Sequence, residues 1–197
     1  MRVISGRFKG TALTTPKQGT RPTTDRTKEA IFSHLDSWGV LDDARVLDLF
    51  AGTGALGIEA LSRGARELVA VEASKPAAAL VAGTLKQLKR NRSWTAELRA
   101  RVLVRKAEAL AAATADAPYD VVFIDPPYAF ETEACNRLLA DLVANGWVDA
   151  RGVIMLERSA RSDDPTAPEG WEITQSRAYG ETAVFYIEAA ENGEDAI

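Results

Sequence analysis

From Arg45 onward, short apolar runs rich in Val, Ile and Leu alternate with longer stretches whose apolar residues recur three and four positions apart. A continuous apolar run suits a strand covered on both faces, and the longer period suits an amphipathic helix, so the alternation predicts a doubly wound α/β domain. Strands are predicted at 45–49, 67–71, 101–104, 120–124 and 152–157. Helices are predicted at 56–63, 75–90, 108–114 and 132–145, with Gly64 and Gly146 placed to stop two of them. A polar loop with Pro165 and Pro168 then leads to two more strand-like runs, 171–177 and 182–187, which turn through Gly180 as a hairpin. The expected core is a seven-stranded, mostly parallel sheet with an antiparallel C-terminal hairpin strand. Ahead of it the pattern predicts a β-hairpin (3–5 with 11–14, turning near Lys9-Gly10) and a helix over 25–38 capped by Thr24 or Asp25. This segment reads as an appendage within 1–40 on a core of 44–188. One domain over 1–188 is expected, followed by a flexible acidic tail, 189–197.

The 197 residues suffice for one sizeable core without metals or disulfides. The apolar fraction of 46% is ordinary, and no run approaches the roughly 20 apolar residues that span a bilayer. The first residues, Met-Arg-Val-Ile-Ser-Gly-Arg-Phe-Lys, do not read as a secretory signal, so a cytoplasmic protein with no membrane partner is expected. Cys135 is the one cysteine and lies in a predicted helix far from any histidine; a buried or half-buried free thiol and no metal site are expected. His34, the one histidine, is expected to be a surface or satisfied residue and not a catalyst. The net charge of −4 hides an asymmetry. Residues 1 to 28 carry Arg2, Arg7, Lys9, Lys17, Arg21, Arg26 and Lys28 against Asp25, about +6, which leaves about −10 elsewhere. The basic end is the candidate phosphate contact, although basic arms are often only solvated faces.

The first strand runs into Asp48-Leu-Phe-Ala-Gly52-Thr-Gly54-Ala-Leu-Gly57, a glycine-rich turn between strand and helix where a ligand can approach the backbone. Gly52, Gly54 and Gly57 match GxGxxG, and Glu72 ends the second strand, where an acid accepts hydrogen bonds from ribose hydroxyls. That much also fits a nicotinamide dehydrogenase. A carboxylate at Asp48 would repel a pyrophosphate but would hold the ammonium of S-adenosylmethionine, directly or through water. Glu108 and Phe50 are candidates to meet the adenine ring. The plain alternative is a tight turn whose Asp48 caps the next helix.

The fourth strand ends in Asp125-Pro126-Pro127-Tyr128, the end at which open α/β sheets bind ligands. An exocyclic amino nitrogen of a base is a poor nucleophile because its lone pair is delocalised into the ring. Asp125 and the Pro126 carbonyl can each accept one of its N–H bonds and stabilise the charge that develops on nitrogen. The prolines stiffen the carbonyl's direction, and Tyr128 offers a face on which the base stacks. Phe130 either helps to hold the base or simply packs. The plain alternative here is a proline-rich turn.

With these residues, the chain resembles the bacterial methyltransferases that modify guanine N2 in small-subunit (16S) ribosomal RNA, the type D family. The resemblance covers nearly the whole chain. It is carried by Arg2-Val-Ile-Ser-Gly-Arg-Phe-Lys-Gly10, Pro16 and Arg21-Pro-Thr-Thr-Asp-Arg-Thr-Lys-Glu-Ala-Ile-Phe32, together with the loop and the Asp-Pro-Pro-Tyr motif. It implies a Rossmann-like fold, S-adenosylmethionine as cofactor, cofactor positions at Asp48, Gly52, Gly54, Glu72 and Glu108, and a border of the cofactor and RNA site at Arg21, Pro22, Thr23, Asp25 and Arg26. Phe50 joins the cofactor positions by its place in the loop, Arg2, Arg7 and Lys9 join the substrate side by charge, and Phe130 joins it by its place after the motif. The partner implied is 16S rRNA in an assembled small subunit, acted on by a monomer. The motif chemistry alone leaves guanine N2, adenine N6 and cytosine N4 open. A DNA adenine methyltransferase is therefore one rival, although the chain has no room for the added target-recognition domain usual there. A non-enzymatic RNA-binding assembly factor is a second, which the intact Asp125 and glycine loop disfavour. The dehydrogenase is a third, and no hydride-acceptor or proton-transfer motif supports it.

Overall fold

The computed structural model describes residues 1–14 and 24–191. Seven strands, β1 (Arg45–Leu49), β2 (Glu67–Glu72), β3 (Arg99–Val104), β4 (Tyr119–Ile124), β5 (Val148–Ser159), β6 (Trp171–Tyr179) and β7 (Thr182–Ala189), form one sheet in the order β3-β2-β1-β4-β5-β7-β6. Strands β1 to β5 run parallel, and β7 runs antiparallel to both of its neighbours, β5 and β6. Helices α1 (Asp25–Trp38), α2 (Ala55–Arg63) and α3 (Lys75–Leu88) bury their apolar sides on one face; α4 (Ala107–Ala111) and α5 (Thr132–Ala144) cover the other. The predicted doubly wound architecture is the one found. Residues 46–49 of β1 and 121–124 of β4 are wholly buried because helices cover both faces, which is why, Asp48 apart, their sequence reads as an apolar run. No helix among the described residues is long and apolar enough to cross a membrane.

The boundaries shift where polar residues disguise a strand or a tertiary contact ends a helix. The third strand starts at Arg99, not 101, because it is an edge strand whose arginines face solvent. The fifth starts at Val148, not 152; the polar residues after it belong to an irregular register against β4. There Gly152 lies where a Cβ would meet the Asp120 and Asp149 carbonyl oxygens at 2.9 and 3.0 Å. Helix α4 spans 107–111 and not 108–114. Asn145 Nδ2 donates to the Ala111 carbonyl and Trp147 Nε1 to the Ala113 carbonyl, so side chains of the α5–β5 turn satisfy the acceptors where the helix ends.

The predicted N-terminal hairpin forms as a short antiparallel pairing around the Arg2–Ala12 bridge, with Val3 donating to the Thr11 carbonyl, Gly10 to Val3 and Leu13 to Met1, so that its first arm lies at 1–3 and not 3–5. The donors between the two arms go elsewhere. Ile4 and Ser5 amides donate to the Glu59 carboxylate, Arg7 to the Ser62 carbonyl and Phe8 to the Ser62 hydroxyl. The segment is thus an ordered strap on α2. The next helix, α1, begins as expected, with the Thr24 hydroxyl accepting from the Thr27 amide, and ends at Gly39 in the left-handed region (φ 68°). One of the cations counted in the basic arm is not on the surface. Lys28 is fully buried, 3.2 Å from Glu59, and donates to the Arg2 carbonyl at 2.7 Å. Cys135 is buried, as expected, and its thiol is pushed up to about 11 by burial. His34 is half-buried, with its Nδ1 3.5 Å from an Arg177 guanidinium nitrogen. It packs between Trp38 and Tyr186, its Nε2 is buried without a partner, and burial, then Arg177, lowers its pKa.

Candidate functional site

A cleft of about 750 Å³ lies at the carboxyl ends of β1, β2, β4 and β5. The strand order reverses direction at β1, which has β2 on one side and β4 on the other, and such switch points open a crevice above the sheet. The turns after β1 and β4 therefore face one another across it.

The turn after β1 is built by close backbone approach. Gly52 (φ 57°) and Gly54 (φ 74°) both take left-handed geometry, and Phe50 does so at φ 58°, which is strained for a residue with a Cβ. Gly52 lines the cleft. Gly54 does not; it starts α2, where a Cβ would stand 3.0 Å from Val81 and 3.1 Å from Ile58, so its requirement comes from packing. Gly57 is equally constrained, because a Cβ there would run into Leu68 and lie 2.9 Å from Asp48 Oδ2.

Asp48 is buried, and its Oδ2 accepts from the Gly57 amide at 2.9 Å. The plain alternative, a cap on the next helix, is thus present in the structure, and Asp48 lines the cleft as well. Burial pushes its carboxyl up to about 7, against the lowering effect of the Gly57 amide, and the neighbouring Glu72 charge pushes the same way. A cation beside such a carboxyl would favour its ionised form. Glu72 occupies the end of β2, with Oε2 accepting from Gly52 and Oε1 from Ser74, both at 2.8 Å. It braces the turn, while each carboxylate oxygen keeps a further lone-pair direction for a hydroxyl donor. Glu108 lies exposed on the first turn of α4 and also lines the cleft.

On the opposite wall stand Asp125, Pro126, Pro127 and Tyr128. The Pro127 carbonyl accepts from the Phe130 amide at 2.8 Å, which curls the chain back after the motif. Tyr128 projects with 61% of its surface exposed, unusual for a large aromatic residue. Phe130 packs edge to face on Phe50, 5.2 Å between centroids.

The structure also brings in residues that sequence reasoning passed over. Glu157, Arg158 and Ser159 end β5 beside the motif, since Ile124 pairs with Leu156, and Arg105, Lys106 and Met1 complete the lining. Arg158 is 5% exposed, and its Nε is buried without a partner. A charged Glu-Arg pair ending an apolar run was the available signal. Conversely, Arg2, Arg7, Lys9 and Arg26 are exposed but do not line the cleft. Thr23, Arg21, Pro22 and Pro16 lie outside the described residues.

The comparisons with known proteins agree with this geometry. A family model described as "Conserved hypothetical protein 95" matches residues 1–188. The Escherichia coli K12 protein named ribosomal RNA small subunit methyltransferase D is 34% identical over 195 residues, spanning 98% of this chain and 92% of its own. The chain belongs to the ribosomal RNA small subunit methyltransferase D family. The Haemophilus influenzae protein of the same name is 31% identical, over 91% of this chain and 89% of its own. The solved Escherichia coli structure of yhhF superimposes with a TM-score of 0.82 at 33% identity, covering 96% and 99% of the two chains. The fold of this family is the Rossmann-like one of S-adenosylmethionine-dependent methyltransferases. The cleft suits that cofactor. The raised Asp48 carboxyl fits an ammonium, Glu72 fits a pair of hydroxyls, and Phe50, Val71 and Ala107 give apolar walls for a ring.

Proposed function

We propose that this chain transfers a methyl group from S-adenosylmethionine to the exocyclic N2 amino group of one guanine in 16S ribosomal RNA, within the assembled small subunit. The observation that carries the reading is the position of Tyr128. It is exposed at the mouth of a cleft that holds Asp125 on one wall and the carboxylates of Asp48 and Glu72 on the other. The cofactor, when bound, supplies an electrophilic sulfonium methyl group.

The chain's own residues position and polarise the acceptor. Tyr128 stacks the target base, and Asp125 and the Pro126 carbonyl each accept a hydrogen bond from one amino N–H, drawing the nitrogen lone pair out of the ring; the proton lost from nitrogen on methylation leaves to solvent. Asp48 holds the cofactor's ammonium, Glu72 its ribose and Glu108 its adenine amino group, while Phe50, Gly52 and Thr23 border it. The exposed cations Arg2, Arg7, Lys9 and Arg26, with Arg21, contact phosphates. In-line displacement then needs alignment only, with no metal and no covalent enzyme intermediate. A small-subunit ribosomal RNA substrate is supported by the names of the relatives, and guanine N2 is chosen over the other exocyclic amines on the sequence resemblance described above. Bases splayed from loops of an RNA particle are accessible without melting a duplex. The same reading makes the protein a cytoplasmic monomer, with one methyltransferase domain over 1–188.

Labelled methyl transfer to unmodified small subunits, to free RNA and to DNA, followed by nucleoside analysis, tests the proposal. N2-methylguanosine from subunits is expected. Methyladenine in DNA would discard the substrate but keep the chemistry, and no transfer to any of them would leave an RNA-binding assembly factor as the better account.

A further inference from the structure

We infer that the protein carries a second RNA-docking surface, remote from the cleft, where the N-terminal strap meets the end of α3. The inference rests on the rRNA reading above and extends its Arg7 and Lys9 phosphate contacts across to the end of α3. Phe8 stacks on Trp94, with centroids 5.9 Å apart and an interplanar angle of 27°, and Lys89 Nζ stands 6.0 Å from the Trp94 ring. That aromatic contact joins two basic segments nearly eighty residues apart in sequence, by roughly the fixed reach of one ring pair. Arg7 and Lys9 flank Phe8; Lys86, Lys89, Arg90 and Arg92 lie around the turn that carries Trp94. All six are exposed. Neither residues 6–10 nor residues 86–95 contain an acid.

The macrodipole accounts for Lys86 and Lys89, which sit at the carboxyl end of α3. It does not account for Arg7, Lys9 or Arg92, which lie outside that helix. Packing does not require them either, since the buried contacts at this corner are made by Phe8, Leu85, Leu88 and the partly buried Trp94. In a chain of net charge −4, gathering like charges at one corner opposes folding through self-repulsion. A polyanion relieves that repulsion, and a phosphodiester backbone supplies phosphates at regular spacing along the surface.

The position of the patch defines what can reach it. The first turn of α3 follows Glu72 in the cleft, and its 14 residues carry the chain away from it. At about 1.5 Å per residue this is roughly 21 Å. Only RNA that extends about that far from the target base can touch both places, which favours a structured particle over a short loop or a nucleoside.

The test is methyl transfer to unmodified small subunits by the full-length chain and by R90E/R92E, from about 50 to 200 mM salt. The variant is expected to raise KM for subunits about tenfold or more at the low-salt end. Its slope of log(kcat/KM) against log salt should be shallower by about 1 to 2. R90Q/R92Q, which removes charge without reversing it, should show the same change at smaller size, and cofactor affinity measured by titration calorimetry reports that the fold is kept. Unchanged KM and slope in both variants, while the unsubstituted protein methylates subunits, would overturn the docking surface alone. Absence of methylation by the unsubstituted protein overturns the functional reading instead. Variants that lose affinity for anionic vesicles but not for subunits would reassign the patch to a membrane and sink the inference.

Discussion

The Phe50 and Phe130 rings meet edge to face, 5.2 Å apart at 63°, and so tie the turn after β1 to the turn after β4 across the cleft. Phe50 is held at φ 58°, a backbone geometry that L-residues avoid, and the ring contact is one of the restraints that keep it there. The two walls of the cleft are therefore linked through two side chains.

Phe130→Ala should relax this link. An edge-to-face pair is worth about 0.5–1.5 kcal/mol beyond its buried area, so cofactor affinity is expected to fall by roughly two- to tenfold although no cofactor-contacting residue has changed. Titration calorimetry measures it; an unaltered dissociation constant would mean that Phe50 holds its geometry unaided.

Asp125→Ala should abolish detectable turnover, a loss of at least 10²–10³-fold by the usual worth of one such acceptor, with cofactor binding retained. Tyr128→Ala should lose about 1–3 kcal/mol of base stacking, mostly in KM for the RNA substrate. Turnover by Asp125→Ala at the unsubstituted rate would refute the mechanism.

The Asp48 carboxyl titrates at about 7 in the folded chain against 3.8 as its ordinary value, raised first by burial. The folded state therefore holds this proton more tightly than the unfolded state does. The associated stability is complete below about pH 4 and is lost as pH rises to 7, on the order of 4 kcal/mol in the cofactor-free protein. A cation bound beside Asp48 needs the ionised form. Cofactor affinity should thus climb close to tenfold per unit from pH 5 to about 7 and then level off. Asp48→Asn should flatten that profile, weaken binding, and stabilise the cofactor-free protein above pH 7 in denaturant titrations. A profile equally steep in the asparagine variant would assign the titration to another group.

Glu59 collects four donors, namely the Ile4 and Ser5 amides, Lys28 Nζ and Arg63 Nε, all at 2.9 to 3.2 Å. Glu59→Ala leaves Lys28 as an uncompensated buried charge and should cost about 3–5 kcal/mol. It should also speed hydrogen exchange at the Ile4 and Ser5 amides, because the strap loses its anchor. Lys28→Met keeps the Arg63 pairing and the volume, and should cost clearly less. Equal losses in the two variants would argue against Glu59 as the hub.

The local pattern determined a large part of this protein. The run at 121–124, and that at 46–49 apart from Asp48, are apolar and suit strands buried on both faces, and Gly52 next to a strand end marks a turn that takes left-handed geometry. The Asp125–Tyr128 motif was legible because its chemistry is local, four consecutive residues aimed by one strand. The tertiary structure decided what depends on partners distant in sequence. It sent Lys28 from the apparent basic arm into the core, because Glu59 on α2 supplies the charge that makes burial bearable. It folded the segment between the arms of the predicted hairpin onto α2, since Glu59 and Ser62 offer acceptors to the amides of Ile4, Ser5 and Phe8. It placed β7 inside β6 at the sheet edge, where the buried run from Val184 to Ile187 is covered and the alternating β6 faces water. It also put Arg158 in the cleft and Phe8 against Trp94, because a side chain's neighbours are set by strand order and helix packing, and neither is encoded within any window of adjacent residues.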